Sequence, residues 1–182
     1  MPRYVVLLRG INVGGKNKLS MKALKACLEE LGYENVATYI NSGNVVLDSK
    51  KSASAIEAEI EKELPKRFKL DSELIKVLAL SKAKFKAMAG GGPKGFGKEP
   101  GKYHSDAIFL MRGLKLKDAV GAFDPREGVD QFWPGKGVIY HRRLSAERTK
   151  SKLNKVLATP FYKSMTIRSW QTTEKLLGML EA

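Results

Sequence analysis

The chain has 182 residues, of which 43% are hydrophobic and 29% charged, and this ordinary composition excludes a disordered, collagen-like or low-complexity protein. No apolar run approaches the ~18 residues of a transmembrane helix, and the run over residues 4–8 is too short for the core of a signal peptide. The single cysteine, Cys27, excludes an internal disulfide and a cysteine-rich zinc site. We therefore expect a soluble, cytoplasmic protein of one or two domains without a membrane partner.

Charge is distributed unevenly along the chain. Lysine and arginine number 33 against 19 acidic residues, which gives a net charge of +14. Residues 1–80 contain 13 basic and 10 acidic side chains, whereas residues 81–182 contain 20 and 9, so their net charges are +3 and +11. A field of this size attracts polyanions and indicates a surface for nucleic acid or phosphate. A solvated, lysine-rich surface without a ligand explains it equally well.

The first half of the chain carries the signals of six elements. Apolar runs predict a strand over residues 4–8, followed by a helix over 21–31 that Ser20 caps and Gly32 closes. Strands over 36–40 and 44–47 are joined by a hairpin turn at 41–43. A helix from Ser52 or Ser54 to Leu64 is ended by Pro65, and a strand over 73–80 comes last. The order strand, helix, strand, strand, helix, strand is the ferredoxin-like pattern.

The second half repeats this order. Residues 107–114 echo residues 4–11, and both runs contain an Arg-Gly pair. The further elements expected are a helix over 115–123, strands over 129–133 and 138–141 around a Pro134-Gly135 turn, and helices over 147–157 and 170–180. We predict an α+β fold: a tandem pair of ferredoxin-like (βαββαβ, α/β-plait) units produced by internal duplication, with an extra C-terminal helix.

Three segments follow from this pattern. Residues 1–80 form the first ferredoxin-like unit and residues 104–182 the second, more basic one. Residues 81–103 form a helix and a flexible connector rich in glycine, lysine and proline, with six glycines between positions 90 and 102. A slack connector is the commoner form of such a segment, and a mobile lid is the alternative.

The sequence RGINVGGKNK, Arg9 to Lys18, lies between a predicted strand and a predicted helix. It satisfies the G-x-x-x-x-G-K pattern of phosphate-cradling loops, but Asn17 stands where such a loop needs serine or threonine for magnesium. The hairpin at 36–47 also argues against the parallel sheet of nucleotide hydrolases. A weaker anion site remains, formed by glycine N–H groups, Lys16, Lys18 and the following helix N-terminus. The alternative is a glycine-rich turn that only reverses the chain.

Topology predicts which loops meet. In a ferredoxin-like unit the exit of the first strand and the turn between the second and third strands share one edge of the sheet, where strands lie ~4.8 Å apart. Residues 12–16 and 41–44 should therefore face each other. Amide and hydroxyl groups from Asn12, Asn41, Ser42 and Asn44 would join the lysines around a phosphate or carboxylate. Asparagine and glycine are also the residues that tight turns require.

Other candidate motifs fall short of a catalytic set. The stretch Lys94-Gly95-Phe96-Gly97 opens like an RNA-recognition signature but continues into Lys98-Glu99-Pro100 instead of a strand. Cys27 is interpreted as a buried structural thiol, and no G-x-S-x-G elbow is present. His104 and His141 are far apart and lack a second histidine at i+4, so they predict no zinc site. The scattered acidic residues Asp106, Asp124 and Asp130 are interpreted as loop or cap residues.

The stretch before the last predicted helix, residues 166–173, supplies two further candidates. Arg168 is suited to clamp an anion, and Trp170 to stack on a base or ring. In the alternative interpretation Trp170 docks the terminal helix onto the core, while Ser169 or Thr172 caps that helix.

Taken together, LLRGINVGGKNK, TYINSGNVVL, PKGFGKEPGKYHSDAIFL, GVIYHRR and TIRSWQTTEKL resemble the bacterial family called domain of unknown function 1697 over nearly the whole chain. This resemblance implies a pair of ferredoxin-like units and no settled reaction. It marks as recurring positions Arg9, Gly10, Asn12, Gly14, Gly15, Lys16, Asn41, Ser42, Gly43, Asn44, Arg168, Trp170 and Thr172. The chain departs from the pattern at Ser169, where relatives usually carry asparagine.

The leading hypothesis is an anion-binding cleft for a nucleotide, a phosphorylated metabolite or a nucleic-acid backbone. Lys16, the loop over residues 10–15 and the turn over 41–44 would form it, with Arg168 closing over the ligand. The alternative is a nucleic-acid-binding module that acts through the basic second half. Enzymatic activity stays undecided, and neither a cofactor nor an oligomeric state is assigned.

Overall fold

The computed structural model describes residues 1–71 and 75–182, and it is a mixed α+β structure with two four-stranded antiparallel sheets. Packing divides the chain into two compact units. The first comprises Met1–Phe85 and Leu176–Ala182, and the second comprises Lys86–Lys175. Among the described residues, no helix combines the length and the apolar character needed to cross a membrane.

The first unit follows the predicted order of elements. In chain order these are β1 (Arg3–Arg9), α1 (Met21–Glu30), β2 (Glu34–Tyr39), β3 (Asn44–Asp48), α2 (Ala53–Arg67) and β4 (Lys76–Ser81). The strands lie in the order β2-β3-β1-β4, each antiparallel to its neighbour. Positions 73 and 74 of the predicted last strand fall outside the described residues. The continuous apolar run of β1 is buried because this strand lies in the middle of the sheet.

Serine caps begin both helices of the first unit. The Ala23 N–H donates to Ser20 Oγ at 3.3 Å, and the Ala55 N–H donates to Ser52 Oγ at 3.3 Å. Gly32, with φ +86°, follows α1 as predicted. Both helices bury an apolar face in one core, to which they contribute Leu24, Cys27, Leu28, Ile56, Ile60 and Leu64. Burial raises the pKa of the Cys27 thiol, which fits a structural role.

The prediction that Pro65 ends the second helix is wrong. Helix α2 continues to Arg67, so Pro65 lies inside its last turn. Proline removes one backbone hydrogen bond, but the Phe68 N–H still closes the turn by donating to the Leu64 carbonyl at 3.0 Å.

The second unit has the same strand order as the first. Its elements are α3 (Lys82–Gly90, mostly in this unit), β5 (Tyr103–Leu110), α4 (Leu116–Gly121), β6 (Asp130–Gly135), β7 (Val138–Leu144), α5 (Leu153–Leu157), β8 (Met165–Ser169) and the start of α6 (Trp170–Glu181). The sheet order is β6-β7-β5-β8, and every neighbouring pair is antiparallel. Strand β8 is absent from the sequence prediction, which placed only a cap and helix there.

Two predicted elements of this unit are corrected. The hairpin reverses at residues 136–137 because Gly135 pairs with Val138, and Pro134 lies within β6. Proline is tolerated there since β6 is an edge strand. The single helix expected over 147–157 is instead a 3₁₀ helix over Ser145–Lys150 followed by the short α5.

The glycine-rich connector between the two predicted units is held in place by packing rather than being slack. Phe96 is 6% exposed and makes edge-on contacts with the rings of Trp133, Tyr140 and Trp170 at centroid distances of 4.9–6.0 Å. A Cβ atom on Gly97 would lie 2.1 Å from Trp170, so only glycine fits beside that ring. The segment therefore packs onto the second sheet through an aromatic cluster of Phe96, Trp133, Tyr140 and Trp170.

Candidate functional site

Two bends of the first unit meet through Asn12. We call residues 10–18 the glycine bend and residues 40–44 the asparagine bend. The Asn12 amide donates to the carbonyls of Leu19 at 2.8 Å and Asn41 at 2.9 Å, and its oxygen accepts the Leu19 N–H at 2.7 Å. The bends are thus adjacent, but the Asn12 amide is engaged in holding them rather than facing a ligand.

Asn17 has a similar structural role. It is 4% exposed, and its side-chain amide donates to the Gly10 carbonyl at 2.7 Å. Its backbone N–H donates to Asp71 Oδ2, also at 2.7 Å. A carboxylate of the protein therefore already occupies one backbone donor of the glycine bend. The sequence contains no signal that links Asp71 to this bend.

The tip of the glycine bend is a two-residue reverse turn. Gly14 and Gly15 have φ values of +58° and +77°, and the Lys16 N–H donates to the Val13 carbonyl at 2.9 Å. Neither glycine donates its N–H to another described residue. Helix α1 begins five residues beyond Lys16 in an antiparallel sheet structure, so the geometry of a nucleotide-hydrolase loop is not formed.

The asparagine bend is held from within. Asn44 is fully buried, and its amide donates to the Tyr39 carbonyl at 3.0 Å and to Ser42 Oγ at 2.9 Å. The Gly43 carbonyl accepts the Leu8 N–H at 2.8 Å. The two predicted ligand residues Asn44 and Gly43 therefore act in the architecture of the turn, whereas Asn41 and Ser42 are exposed.

Strained backbone is concentrated in these bends. Four described non-glycine residues have positive φ, and three of them are Asn12, Asn17 and Ile40. Ile40, at φ +46°, is a β-branched residue in a conformation that costs roughly 1–3 kcal/mol. It is nevertheless 51% exposed, and Val13 on the other bend is 63% exposed. Backbone strain of this kind clusters at active and binding sites, which makes the two bends candidates for one.

The groups left for a ligand differ from those expected. Lys16, Lys18 and the glycine tip are exposed, and Arg9 and Gly10 are half-buried at the base of the bend. The side-chain amides of Asn12 and Asn44 are engaged in hydrogen bonds within the protein. The bends therefore present lysine ammonium groups, backbone N–H groups and two apolar side chains.

The C-terminal candidates belong to the second unit. Arg168 is 7% exposed and donates to Thr166 Oγ1 at 2.8 Å and to the Ile167 carbonyl at 2.9 Å. Burial lowers the pKa of its guanidinium to about 10. Arg168 is thus a buried strand residue rather than an exposed clamp.

Trp170 and Thr172 contact the protein itself, as expected if Trp170 docks the last helix and a residue beside it caps that helix. Trp170 is 9% exposed and packs in the aromatic cluster at the start of α6. Ser169 Oγ accepts the Thr172 N–H at 3.2 Å and lies 3.0 Å from Thr172 Oγ1. Trp170 therefore docks the helix and Ser169 caps it.

Sequence reasoning missed a polar network in the second sheet. Strand pairing sets His141 opposite both Asp106 and Phe132, and His141 Nε2 lies 3.2 Å from Asp130 Oδ1 while Nδ1 lies 3.8 Å from Asp106 Oδ2. Asp106 also contacts His104 Nε2 at 3.2 Å. The available signal was a charged residue inside each of two apolar strand runs. In the described part of the chain, no group of three or more histidine, cysteine or acidic side chains could hold a metal ion.

Comparison with known proteins places the chain in a family. The model described as protein of unknown function DUF1697 matches residues 1–140. No curated protein matches the chain. Among solved structures, the conserved bacterial protein SP0830 from Streptococcus pneumoniae is 30% identical, with a TM-score of 0.82 and 98% of each chain covered. The chain therefore belongs to the DUF1697 family.

Proposed function

We propose that the protein binds a phosphate group at the joined glycine and asparagine bends. The observation that carries this proposal is the Asn12–Asn41 hydrogen bond of 2.9 Å, which fixes the two bends against each other while the glycine tip and Lys16 stay exposed. A rigid anion site loses little conformational entropy when a ligand binds.

The donors of this site are backbone N–H groups and ammonium groups. The 14–15 turn leaves two successive backbone N–H groups exposed at its tip, and N–H groups of turns can form anion-binding concavities. Lys16 and Lys18 add charge, and hydrogen bonds to charged groups contribute roughly 1.5–3 kcal/mol each. The Asp71 carboxylate already accepts the Asn17 N–H at 2.7 Å, so other N–H groups of the bend would hold the phosphate, and the charges of Lys16 and Lys18 offset this carboxylate.

A nucleotide fits this surface better than inorganic phosphate alone. Val13 and Ile40 are exposed beside the donors, and they offer apolar contact to a base or ribose. Arg168 is not included among the phosphate-binding residues, because its side chain is only 7% exposed. We propose that it supports the second sheet.

The experiment is a titration of the protein with ADP, followed by backbone amide chemical shifts at constant ionic strength. We expect saturable shifts of the Gly14 and Gly15 N–H signals and at least tenfold weaker binding in Lys16→Ala. Lys50→Ala, an exposed lysine beyond the opposite end of β3, is the matched control. Absence of saturable shifts, or equal losses in both variants, would overturn the proposal.

A second function is favoured by one observation on the second unit. The Arg142 guanidinium lies 4.1 Å from the centroid of the Tyr103 ring and 5.2 Å from that of Trp133, and Lys102 Nζ lies 5.0 Å from the Tyr103 centroid. Cations stacked on half-exposed aromatic rings are suited to bases and backbone of nucleic acid. This surface supports the alternative of a nucleic-acid-binding module.

We further propose that both units are ferredoxin-like and arose by duplication. Support comes from the equivalent strand orders β2-β3-β1-β4 and β6-β7-β5-β8. The Arg-Gly pairs near the ends of β1 and β5 add to it, since Gly10 and Gly113 have φ values of +93° and +94°.

A further inference from the structure

A cavity of about 210 Å³ lies in the second unit, apart from the bends considered above. Its polar lining consists of Tyr103, His104, Ser105, Ser169, Gln171 and Glu174, and Trp170 adds an aromatic side chain. The volume is below the ~300 Å³ at which drug-sized ligand sites begin. We call it the His104 cavity, and it is suited to a small metabolite.

His104 is held in place by a buried carboxylate. Its Nε2 lies 3.2 Å from Asp106 Oδ1, and Asp106 is 5% exposed whereas the His104 side chain is 48% exposed. Arg143 Nη1 donates to the second oxygen of Asp106 at 3.3 Å, which fixes the orientation of that carboxylate. In the neutral tautomer with its proton on Nε2, His104 donates to Asp106 and Nδ1 is left as an acceptor.

The described lining of the cavity offers no direct cationic partner to an anionic ligand. Although the chain has 33 lysines and arginines, those described residues that line the cavity include neither type, and they do include the carboxylate of Glu174. An anion would therefore meet a like charge and no cationic partner.

A cationic ligand is disfavoured as well. The ring of Tyr103, a lining residue, carries Lys102 at 5.0 Å and Arg142 at 4.1 Å. Both cations lie within a Debye length of ~8 Å from that wall, so they offset the attraction of the Glu174 carboxylate for a cation, although neither lines the cavity as a partner for an anion. A neutral ligand avoids both conflicts.

We propose that the His104 cavity binds a small neutral ligand with several hydroxyl groups, of monosaccharide size. Glu174 and His104 Nδ1 would accept hydrogen bonds from ligand hydroxyls, and Gln171 and Ser105 would both donate and accept. This inference is independent of the phosphate site, because it concerns another unit and an uncharged ligand.

The test uses the full chain and a panel of D-ribose, D-glucose, myo-inositol and glycerol. Binding is followed by the Trp170 indole N–H and Gln171 side-chain amide signals, which report on the cavity directly. We expect saturable shifts with at least one cyclic polyol at millimolar concentration. Glu174→Gln and His104→Ala should each weaken that binding at least fivefold, and Glu127→Gln, an exposed glutamate outside the cavity, should leave it unchanged.

Three results would overturn the proposal. They are the absence of saturable shifts with every polyol, equal affinities in Glu174→Gln and Glu127→Gln, and binding of ethanolamine or phosphate at these signals in place of the polyols. Unfolding curves of each variant establish that a lost signal reflects binding rather than folding. Because ADP titration monitors the glycine bend, failure of either proposal leaves the other standing.

Discussion

At the scale of single residues, the asparagines and glycines of the two bends act first as parts of the backbone framework. The Asn12 amide uses both of its N–H groups and its oxygen on the protein itself, and the Asn44 amide donates twice within its own turn. Residue types that suggest ligand binding are therefore required already by the turn geometry. Lys16, Lys18 and the N–H groups of the glycine tip are free of that requirement and carry the proposed function.

Gly43 tests this structural requirement. It has φ +80°, and an added Cβ would lie 2.9 Å from Leu8 Cβ and 3.0 Å from the Leu8 carbonyl oxygen. Left-handed backbone costs an alanine roughly 1–2 kcal/mol, and forced overpacking adds about 1–3 kcal/mol. We expect Gly43→Ala to lower the free energy of unfolding in urea by about 2–5 kcal/mol.

Gly14→Ala is the matched control, since Gly14 also has positive φ but its Cβ would meet no atom within 4 Å. The Gly14→Ala variant should lose only the free energy that left-handed backbone costs an alanine, without the overpacking. Equal losses of stability in the two variants would refute the close packing of Gly43 against β1.

At the scale of elements, Asp130 joins β6, β7 and the chain that follows the 3₁₀ helix. Its side chain is 2% exposed, and it accepts hydrogen bonds from Ser151 Oγ at 2.6 Å and from the backbone N–H groups of Lys152 and Arg126 at 2.9 and 3.0 Å. Burial raises the pKa of this carboxyl, but these hydrogen bonds and the neighbouring His141 outweigh burial, so the pKa is lowered overall.

A lowered pKa makes the contribution of Asp130 dependent on pH. Stabilisation is fully present above the ordinary aspartate pKa of ~3.9 and is lost as pH falls below that value through the lowered one. Asp130→Asn should therefore lower the free energy of unfolding by about 1.5–3 kcal/mol at pH 7, with the difference from wild type shrinking toward pH 3.

Urea unfolding between pH 3 and 7 measures this difference. The exposed Asp118→Asn provides the control for loss of one negative charge. A difference between wild type and Asp130→Asn that is constant over the whole range would contradict the assigned role of the ionised carboxylate.

These contacts also explain which elements could be predicted from sequence. Local signals sufficed for β1, α1 and the 36–47 hairpin, because apolar runs, a serine cap and turn residues act over a few positions. The expected 147–157 helix is divided because Asp130, more than 20 positions earlier, binds Ser151 and the Lys152 N–H. The His104 cavity likewise depends on long-range pairing of β5 with β8.

At the scale of the whole molecule, the uneven charge sets the conditions under which the alternative function is tested. The net charges of +3 and +11 for residues 1–80 and 81–182 favour encounter with any polyanion. Non-specific attraction of this kind weakens steeply with salt, since each neutralised phosphate contributes about 0.7–0.9 to the slope of log K against log salt. Salt dependence alone therefore does not identify a binding surface, and a specific contact must be tested with it.

Arg142 supplies that contact. If the second unit binds single-stranded nucleic acid, Arg142→Ala should weaken binding of a fluorescent 20-nucleotide DNA at 50 mM salt more than Lys117→Ala does, because only Arg142 is stacked on Tyr103 and Trp133. Arg142→Lys keeps the charge without the planar stack and should fall between them. Equal losses in Arg142→Ala and Lys117→Ala would reduce the effect to net charge, and anisotropy unchanged between 50 and 200 mM salt would exclude backbone binding altogether.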